Sequence, residues 1–370
     1  MNPTSAEALA DQFAAAFRAA GATVVLPDLL QPAGALLDLY GEDIRARAYV
    51  THDPDAGELM LRPDFTVPVV LHHLQAADGP ARYTYSGPVF RVPPVGSGRP
   101  RGYLQVGYES IGDQDRAAAD AEVYGLFARS LAPFHLSPVT GDMGVLIAAI
   151  DSLRTTAGRK RALRRHLWRP QRFRALFDRF AGRGPAPAGR AALVQAVADT
   201  GAAALIAAAE PAIGRRGTDE IAARLAALCD DAAAPPIPPG QADALDAVLN
   251  LRASLPDAAA TLHDMAVELP QIAPAVARLT ARCAALAGAG IDVDALPFEA
   301  RFGRTNMEYY DGFVFGFLAP TRPDLPPVAT GGRYDALTAM IGRAAPMPAV
   351  GGVLRPETLI AATGTEGVAG

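Results

Sequence analysis

The chain has 370 residues, of which 50% are hydrophobic, with a net charge of -5 and an isoelectric point near 5.7. A chain of this length can bury a sizeable core, and we expect it to form two or three domains. The acidic balance argues against a protein whose main role is to coat nucleic acid.

Cys229 and Cys283 are too few for a disulfide framework or a metal cluster, and we interpret both as thiols in a reducing compartment. The N-terminus lacks a basic segment followed by an apolar core. No run reaches the roughly 18 apolar residues of a membrane span. The sequence therefore predicts a cytoplasmic protein, and it assigns no metal and no cofactor.

The first 143 residues mix predicted helices and predicted strands. Apolar residues at helical spacing predict a helix from Ser5 to Ala20 that Gly21 closes. A strand is predicted at residues 58–62 and a further helix at residues 115–131. There is no regular βαβ alternation and no Gly-x-Gly-x-x-Gly motif that opens a helix, which disfavours a dinucleotide-binding doubly wound sheet.

Two strand-like arms flank a loop rich in Gly, Pro and Arg between Phe90 and Glu109. In the second arm, the strand period of two places Gln105, Gly107 and Glu109 on one side. A glycine between a glutamine and a glutamate leaves room for a ligand to approach. The pattern favours an anionic or polar small ligand that is held on the face of a sheet.

The composition changes at residue 144. Residues 144–295 are rich in Ala, Leu and Arg and show recurrent helical periodicity, whereas strand character returns after residue 296. We therefore predict an α+β fold in which residues 1–143 and 296–370 form one sheet-bearing core. Residues 144–295 are then a mainly helical insertion.

A basic stretch of ten Arg and one Lys against a single Asp runs from Arg154 to Arg183. Such a run could bind RNA phosphates or an acidic partner protein. The alternative is a solvated helical face around Trp168, because Phe173 and Phe177 are spaced for a core. Both interpretations remain open.

Five short motifs, taken together, resemble the catalytic core of class II histidyl-tRNA synthetases. They are, in chain order, Leu61-Arg62-Pro63-Asp64-Phe65-Thr66, the arm Phe90-Arg91 with residues 105–109, Tyr309-Tyr310-Asp311-Gly312, Gly331-Gly332-Arg333-Tyr334-Asp335 and Pro348-Ala349-Val350-Gly351. They span nearly the whole chain outside the helical insertion. The resemblance implies an antiparallel sheet flanked by helices.

The resemblance also implies an amino-acid pocket that binds histidine. Its residues are Asp64, Thr66, Arg91, Gln105, Glu109, Tyr309 and Tyr310. Asp64 stands where the family has a glutamate that takes the α-amino group, and Arg91 matches an arginine that approaches the carboxylate. Gln105 and Glu109 match residues that receive the α-amino and imidazole ends, beside the two tyrosines. Carboxylates suit an ammonium, an arginine suits a carboxylate, and polar groups with aromatic rings suit an imidazole.

Three positions depart from the synthetase pattern. Pro93 replaces a glutamate that holds adenine, Thr305 falls where a catalytic arginine is expected, and Thr358 falls where an arginine clamps ATP. Arg304 and Arg355 lie near the last two positions but out of register. Because each lost cation aimed at a transferring phosphate costs several kcal/mol, the resemblance predicts that adenylation is abolished.

A histidine pocket without the ATP contacts is similar to that of the regulatory subunits of ATP phosphoribosyltransferase. The chain ends at Gly370, which we expect leaves no room for the anticodon-binding domain of synthetases. The resemblance implies a non-catalytic subunit that activates the short-form catalytic subunit. It also implies that this subunit mediates feedback inhibition by histidine in the first step of histidine biosynthesis.

The expected partners are the short-form catalytic subunit, L-histidine and a second copy of the chain. The resemblance implies a dimer through the N-terminal region, within a hetero-oligomer that we expect to be a hetero-octamer. One alternative is a truncated histidyl-tRNA synthetase-like enzyme that activates histidine with ATP. Another is a tRNA-binding module that uses residues 154–183.

Overall fold

In a computed structural model, the chain is described at residues 5–34, 47–76, 79–93, 95–209, 216–304, 309–342 and 346–364. Thr305, where the synthetase pattern has a catalytic arginine, lies outside these ranges.

The described residues form fourteen helices and twelve strands. The helices are α1 (Ser5–Ala19), α2 (Thr66–Ala76), α3 (Arg116–Leu131), α4 (Met143–Ser152), α5 (Ala157–Arg165), α6 (Pro170–Phe180), α7 (Arg190–Thr200), α8 (Ala202–Ala208), α9 (Thr218–Ala233), α10 (Pro239–Asn250), α11 (Leu255–Met265), α12 (Ala273–Gly288), α13 (Asp335–Gly342) and α14 (Pro356–Thr363). The strands are β1 (Thr23–Val24), β2 (Leu30–Pro32), β3 (Val50–Asp53), β4 (Gly57–Leu61), β5 (Ala81–Phe90), β6 (Gly102–Ile111), β7 (Ser137–Asp142), β8 (Arg252–Ser254), β9 (Pro297–Glu299), β10 (Phe313–Leu318), β11 (Ala329–Arg333) and β12 (Ala349–Leu354).

Nine of these strands form one large sheet in the order β1-β5-β6-β12-β11-β10-β7-β9-β8. Every neighbouring pair is antiparallel except β1 with β5 and β7 with β9. Strands from both ends of the chain meet at its centre, where β6 pairs with β12. The predicted α+β fold, with an antiparallel sheet flanked by helices, is confirmed.

The secondary structure predicted for the first part of the chain is also confirmed in its main elements. The helix predicted from Ser5 to Ala20 is α1, and Gly21 follows it with a φ of 91°. Such a left-handed backbone favours glycine and stops the helix. The strand predicted at residues 58–62 is β4, and the helix predicted at residues 115–131 is α3.

Helix α3 packs on the centre of the large sheet. Asp115 caps its N-terminus, and the carboxylate of this residue accepts the Ala118 backbone N–H at 3.0 Å. Further along, Tyr124 and Phe127 each place their ring 5.6 Å from the ring of Phe315 on β10. All three rings are buried, and full burial of one large apolar side chain is worth about 2 kcal/mol. The core of the molecule therefore lies between α3 and this sheet.

The helical stretch 144–295 is joined closely to the large sheet. Its strand β8 is too short for a periodic signal in the sequence, and it pairs with β9. Helix α12, near the end of the stretch, packs against α3. The division of the chain into a core and an insertion stays a prediction. Among the described residues no single helix is long and apolar enough to cross a membrane, although the bent pair α7 and α8 together passes that test.

Much of the charge in the basic stretch 154–183 is neutralised within the protein. Five of its arginines pair with aspartates, namely Arg159, Arg164, Arg174, Arg179 and Arg183. Phe173 and Phe177 are buried, as their spacing predicts. The exposed positive charge of this stretch is therefore smaller than the sequence alone suggests.

A network of buried ion pairs, centred on Asp120 of α3, joins three parts of the fold. Asp120 accepts hydrogen bonds from Arg282 of α12 at 2.8 Å and from Arg333 of β11 at 2.7 and 2.9 Å. Arg282 also binds Asp142 at 2.7 Å, and Arg333 binds Asp335 at 2.8 Å. Burial of these charges is tolerated because each guanidinium faces carboxylates on two sides.

Replacement of Asp120 by alanine is expected to lower the free energy of unfolding by about 3–5 kcal/mol, because Arg282 and Arg333 would stay buried without their shared carboxylate. Urea unfolding followed by circular dichroism measures this change. The matched control is Arg322→Ala, which breaks the exposed ion pair with Asp324 and should leave the urea midpoint unchanged. A loss below about 1 kcal/mol in Asp120→Ala would contradict the central place of this network.

Candidate functional site

All seven residues that the resemblance assigns to an amino-acid pocket line one cavity on the large sheet. They come from the start of α2, the end of β5, strand β6 and the segment before β10. The remaining residues of the lining are Thr330, Tyr334, Gly351, Gly352, Val353 and Arg355. The cavity therefore lies where β6, β12 and β11 run side by side. What these residues bind stays a prediction.

Strand β6 supplies one wall of the cavity. Gln105 and Glu109 lie on the same side of the strand and both line the cavity, in agreement with the period of two. Gly107 between them faces the ring of Tyr85, which a Cβ at this position would overlap. The sequence interpretation leaves the space at Gly107 for a ligand, whereas the structure fills it with Tyr85.

Glu109 is the most enclosed polar group of the cavity. It is completely buried, and its carboxylate accepts hydrogen bonds from the hydroxyls of Thr66 at 3.0 Å, Tyr85 at 2.9 Å and Tyr334 at 2.6 Å. Gly351 lies so close that any Cβ there would overlap the carboxylate. Burial raises the pKa of Glu109 from 4.5 to about 7, although the three hydroxyl donors oppose this shift.

Two guanidinium groups form the cationic side of the cavity. The Nε of Arg91 donates to the backbone carbonyl of Pro63 at 2.8 Å. Arg355 donates to the carbonyl of Pro327 at 3.0 Å and to the hydroxyl of Thr330 at 3.1 Å. Burial and then the charge of Arg91 lower the pKa of Arg355. Two neighbouring guanidinium groups suit a carboxylate ligand.

Arg355 lines the cavity, although it is out of register with the ATP-clamping arginine of the synthetase pattern. Its position agrees with a simpler signal. Gly351, Val353 and Arg355 alternate at a period of two along β12 and just past its end, and all three line the cavity. Tyr334 was also missed as a site residue, although it belongs to the motif at residues 331–335.

Gln105 carries the one buried and unsatisfied polar atom of this lining among the described residues. The residue is 1% exposed, and its Oε1 has no hydrogen-bond partner. Buried acceptors are nearly always paired, with a protein group, a water molecule or a ligand. An N–H group of a ligand would satisfy it.

Three tyrosines close the far side of the cavity. The ring of Tyr309 lies 5.0 Å from that of Tyr310 and 5.8 Å from that of Tyr334, with the planes nearly perpendicular in both pairs. Burial, and then the charge of Glu109, raises the pKa of Tyr310, so its hydroxyl stays protonated. These rings form an aromatic wall with polar tips, which suits a flat polar ring such as an imidazole.

The cavity is nearly closed. Its volume is about 20 Å³, far below the range of roughly 300–1,000 Å³ for ligand pockets. Entry of an amino acid therefore requires the surrounding side chains to move.

Two of the positions that depart from the synthetase pattern lie outside this cavity, as does Arg304. Pro93 and Thr358 are absent from the cavity lining among the described residues. Arg304 lies outside that lining, and its Nε donates to the carbonyl of Leu167 at 2.9 Å. The described residues also include no group of three or more His, Cys, Asp or Glu that could hold a metal ion.

Comparisons with known proteins agree with this architecture. The family model of histidyl-tRNA synthetase matches residues 2–234 and 189–359. The ATP phosphoribosyltransferase regulatory subunit of Brucella anthropi is 34% identical over 338 residues, which cover 87% of this chain and 88% of the relative. The protein of the same name from Agrobacterium fabrum is 33% identical over 361 residues, which cover 91% and 92%.

Solved structures share the fold at lower identity. An ATP phosphoribosyltransferase regulatory subunit/histidyl-tRNA synthetase from Bacillus halodurans matches with a TM-score of 0.67 and 21% identity, over 98% of this chain and 82% of that one. A histidyl-tRNA synthetase from Nostoc sp. matches with a TM-score of 0.63 and 16% identity, over 96% and 70%. At these identities the likeness establishes the class II synthetase fold alone.

Titration of Glu109 should make the stability of the protein depend on pH. Because the folded state raises the pKa of this carboxyl from 4.5 to about 7, the stabilisation it gives is complete below pH 4.5 and is lost as the pH rises towards 7. Relative to Glu109→Gln, the free energy of unfolding of the wild type should fall by roughly 3 kcal/mol over this interval and then level off. Urea unfolding of both proteins at several pH values measures the difference. A difference that does not change with pH would rule out a buried, titrating Glu109.

Proposed function

This chain belongs to the family of ATP phosphoribosyltransferase regulatory subunits, and we propose that it activates the short-form catalytic subunit and mediates feedback inhibition by histidine. Relatives at 33–34% identity over most of both chains carry the name of a regulatory subunit rather than of a catalytic one. The chain is accordingly a non-catalytic subunit of an enzyme of histidine biosynthesis. Our proposal concerns how this subunit acts, namely by activating the catalytic subunit and by inhibiting it when histidine binds.

The observation that carries this proposal is the bare acceptor of Gln105 in a cavity that also holds two guanidiniums. Histidine presents an ammonium, a carboxylate and an imidazole, and the cavity has a counterpart for each. Gln105 and Asp64 suit the ammonium, while Arg91 and Arg355 suit the carboxylate. Glu109 and the tyrosine rings suit the imidazole, whose N–H groups need an acceptor.

The histidine signal would reach the partner through the elements that line the cavity. Tyr334 donates to Glu109 and directly follows Arg333, which binds Asp120 of α3. A ligand that moves Glu109 therefore acts on the network that also holds α12. We propose that histidine binding alters the packing between subunits in this way, with a coupling free energy of about 1–3 kcal/mol, as is typical of allosteric proteins.

The N-terminal region is the surface through which we propose that two copies of the chain associate, within a hetero-octamer that includes the catalytic subunit. Large apolar side chains are exposed there, with Leu26 at 75% and Leu29, Leu30 and Val50 at 41–44%. They lie on β2, on β3 and on the segment before β2. Clusters of exposed apolar side chains commonly mark protein interfaces.

Calorimetric titration tests the binding of histidine. We expect L-histidine to bind saturably to the wild type, and Gln105→Leu to raise the dissociation constant about tenfold or more, because the ammonium loses a charge-assisted hydrogen bond. Histidinol, which has a hydroxymethyl group in place of the carboxylate, should bind more weakly than histidine, since Arg91 and Arg355 lose their partner. Arg322→Gln, at a residue outside the cavity lining, is the control. Absence of histidine binding by both the isolated protein and its complex would contradict the proposal.

Mixing with a short-form catalytic subunit tests the regulatory role. We expect the wild type to raise the rate of ATP phosphoribosyl transfer, and sedimentation to show a hetero-oligomer. Added histidine should lower the rate again. Gln105→Leu should still activate but need at least ten times more histidine for inhibition, which separates activation from sensing. An unchanged rate on mixing would exclude activation, whatever the histidine affinity of the isolated protein.

A further inference from the structure

A second group of unsatisfied polar atoms lies away from the cavity, at the junction of α5 and α6. The turn at residues 301–304 contacts this junction through Arg304, whose side chain is 5% exposed. The Nε of Arg304 donates to the carbonyl of Leu167 at 2.9 Å, and its guanidinium lies 4.8 Å from the ring centroid of Phe173. A strong cation is therefore buried between the turn and the start of α6.

Arg304 differs from the other buried arginines of the described residues in what surrounds it. Arg282 and Arg159 pair with carboxylates, and Arg62 is held by two backbone carbonyls with two aspartates nearby. For Arg304, burial and then the charge of Arg301 lower the pKa to about 10, and no acidic group of the described residues opposes this shift. A buried cation without a counter-charge is costly, so an anion would stabilise it.

Three polar atoms at this junction are buried and have no hydrogen-bond partner among the residues that the structure describes. They are Nη2 of Arg304, Nε1 of Trp168 and Nδ1 of His166. The first two can only donate, so only an acceptor can satisfy them. In a planar guanidinium one Nη2–H runs parallel to Nε–H, and Nε–H here points at Leu167, between His166 and Trp168. The free donor of Arg304 is therefore directed toward the same turn.

The surroundings of the junction favour an anion over a water molecule as the missing acceptor. Besides burial, which is the largest cause, the charges of Arg169, Arg165 and Arg172 lower the pKa of His166. Helix α6 also begins here, and the partial positive charge of its N-terminus adds to the field. A water would satisfy two donors but would leave this positive charge without a counter-charge.

We propose that this junction is a binding site for a phosphate-type oxyanion, which Arg304 and Trp168 hold from the inside and Arg165 and Arg172 attract from the surface. Arg165 and Arg172 are exposed, so a phosphate group can approach from solvent. The site is separate from the cavity, since none of these residues lines it. In this proposal part of the basic stretch binds one small anion at a defined site.

Trp168 is the single tryptophan of the chain, so its fluorescence reports on this site. We expect inorganic phosphate and pyrophosphate, titrated at constant ionic strength, to change the emission of the wild type saturably. In Arg304→Gln the dissociation constant should rise at least tenfold, because the buried donor and its charge are lost. Arg161→Gln carries the same charge change at an exposed position of α5, is not among the groups that act on His166, and should bind as the wild type does.

The double variant Arg165→Gln/Arg172→Gln tests the site even if Arg304→Gln fails to fold, because both of its positions are exposed and their replacement should not disturb the fold. It should weaken phosphate binding at least threefold. A short single-stranded RNA distinguishes a free oxyanion from a backbone phosphate. RNA binding that both Arg304→Gln and the double variant weaken, with a steep dependence on salt, would assign the site to a polynucleotide phosphate. No saturable response to phosphate, pyrophosphate or RNA would overturn the proposal, as would unchanged binding in both the folded Arg304→Gln and the double variant.

Discussion

The shared carboxylate of Asp120 is the interaction on which most of the architecture depends. It binds one arginine from α12 and one from β11, so a helix of residues 144–295 and a central strand are fixed to the same residue of α3. The cost of burying three charges is offset only while all of them remain in contact. This requirement fixes the orientation of Arg333, and so of its neighbour Tyr334 in the cavity.

Glycines at the centre of the sheet allow large groups to pack directly against its backbone. On β11 and β12 the side-chain positions at Gly331, Gly332, Gly351 and Gly352 are filled instead by the groups that pack over them. The ring of Phe315 covers Gly331, the ring of Tyr310 approaches Gly332, and the Glu109 carboxylate lies against Gly351. A side chain at any of these positions would displace an aromatic ring or the buried carboxylate. The strands are therefore shaped for the groups that pack above them.

The sequence predicted seven of the cavity residues from short motifs. These motifs are far apart in the chain, but they lie on or beside strands that are neighbours in the sheet. Period-two spacing was sufficient to place Gln105 and Glu109 on one face, because the strand geometry alone determines it. Arg355 was not predicted as a cavity residue, because the sequence was compared with a pattern of ATP-binding positions and Arg355 does not fall on one of them. The ring of Tyr85 behind Gly107 could not be predicted, because it depends on the pairing of β5 with β6. The buried network of Asp120 depends on contacts between residues far apart in sequence and left no local signal.

The small free volume of the cavity has a kinetic consequence. If side chains must move before a ligand can enter, the association rate is set by how often the closed cavity opens, and it lies below the diffusion limit. The observed affinity is then the intrinsic affinity reduced by the fraction of molecules that are open. Sensitivity to the ligand can therefore be tuned by residues that never touch it, through the stability of the closed form alone.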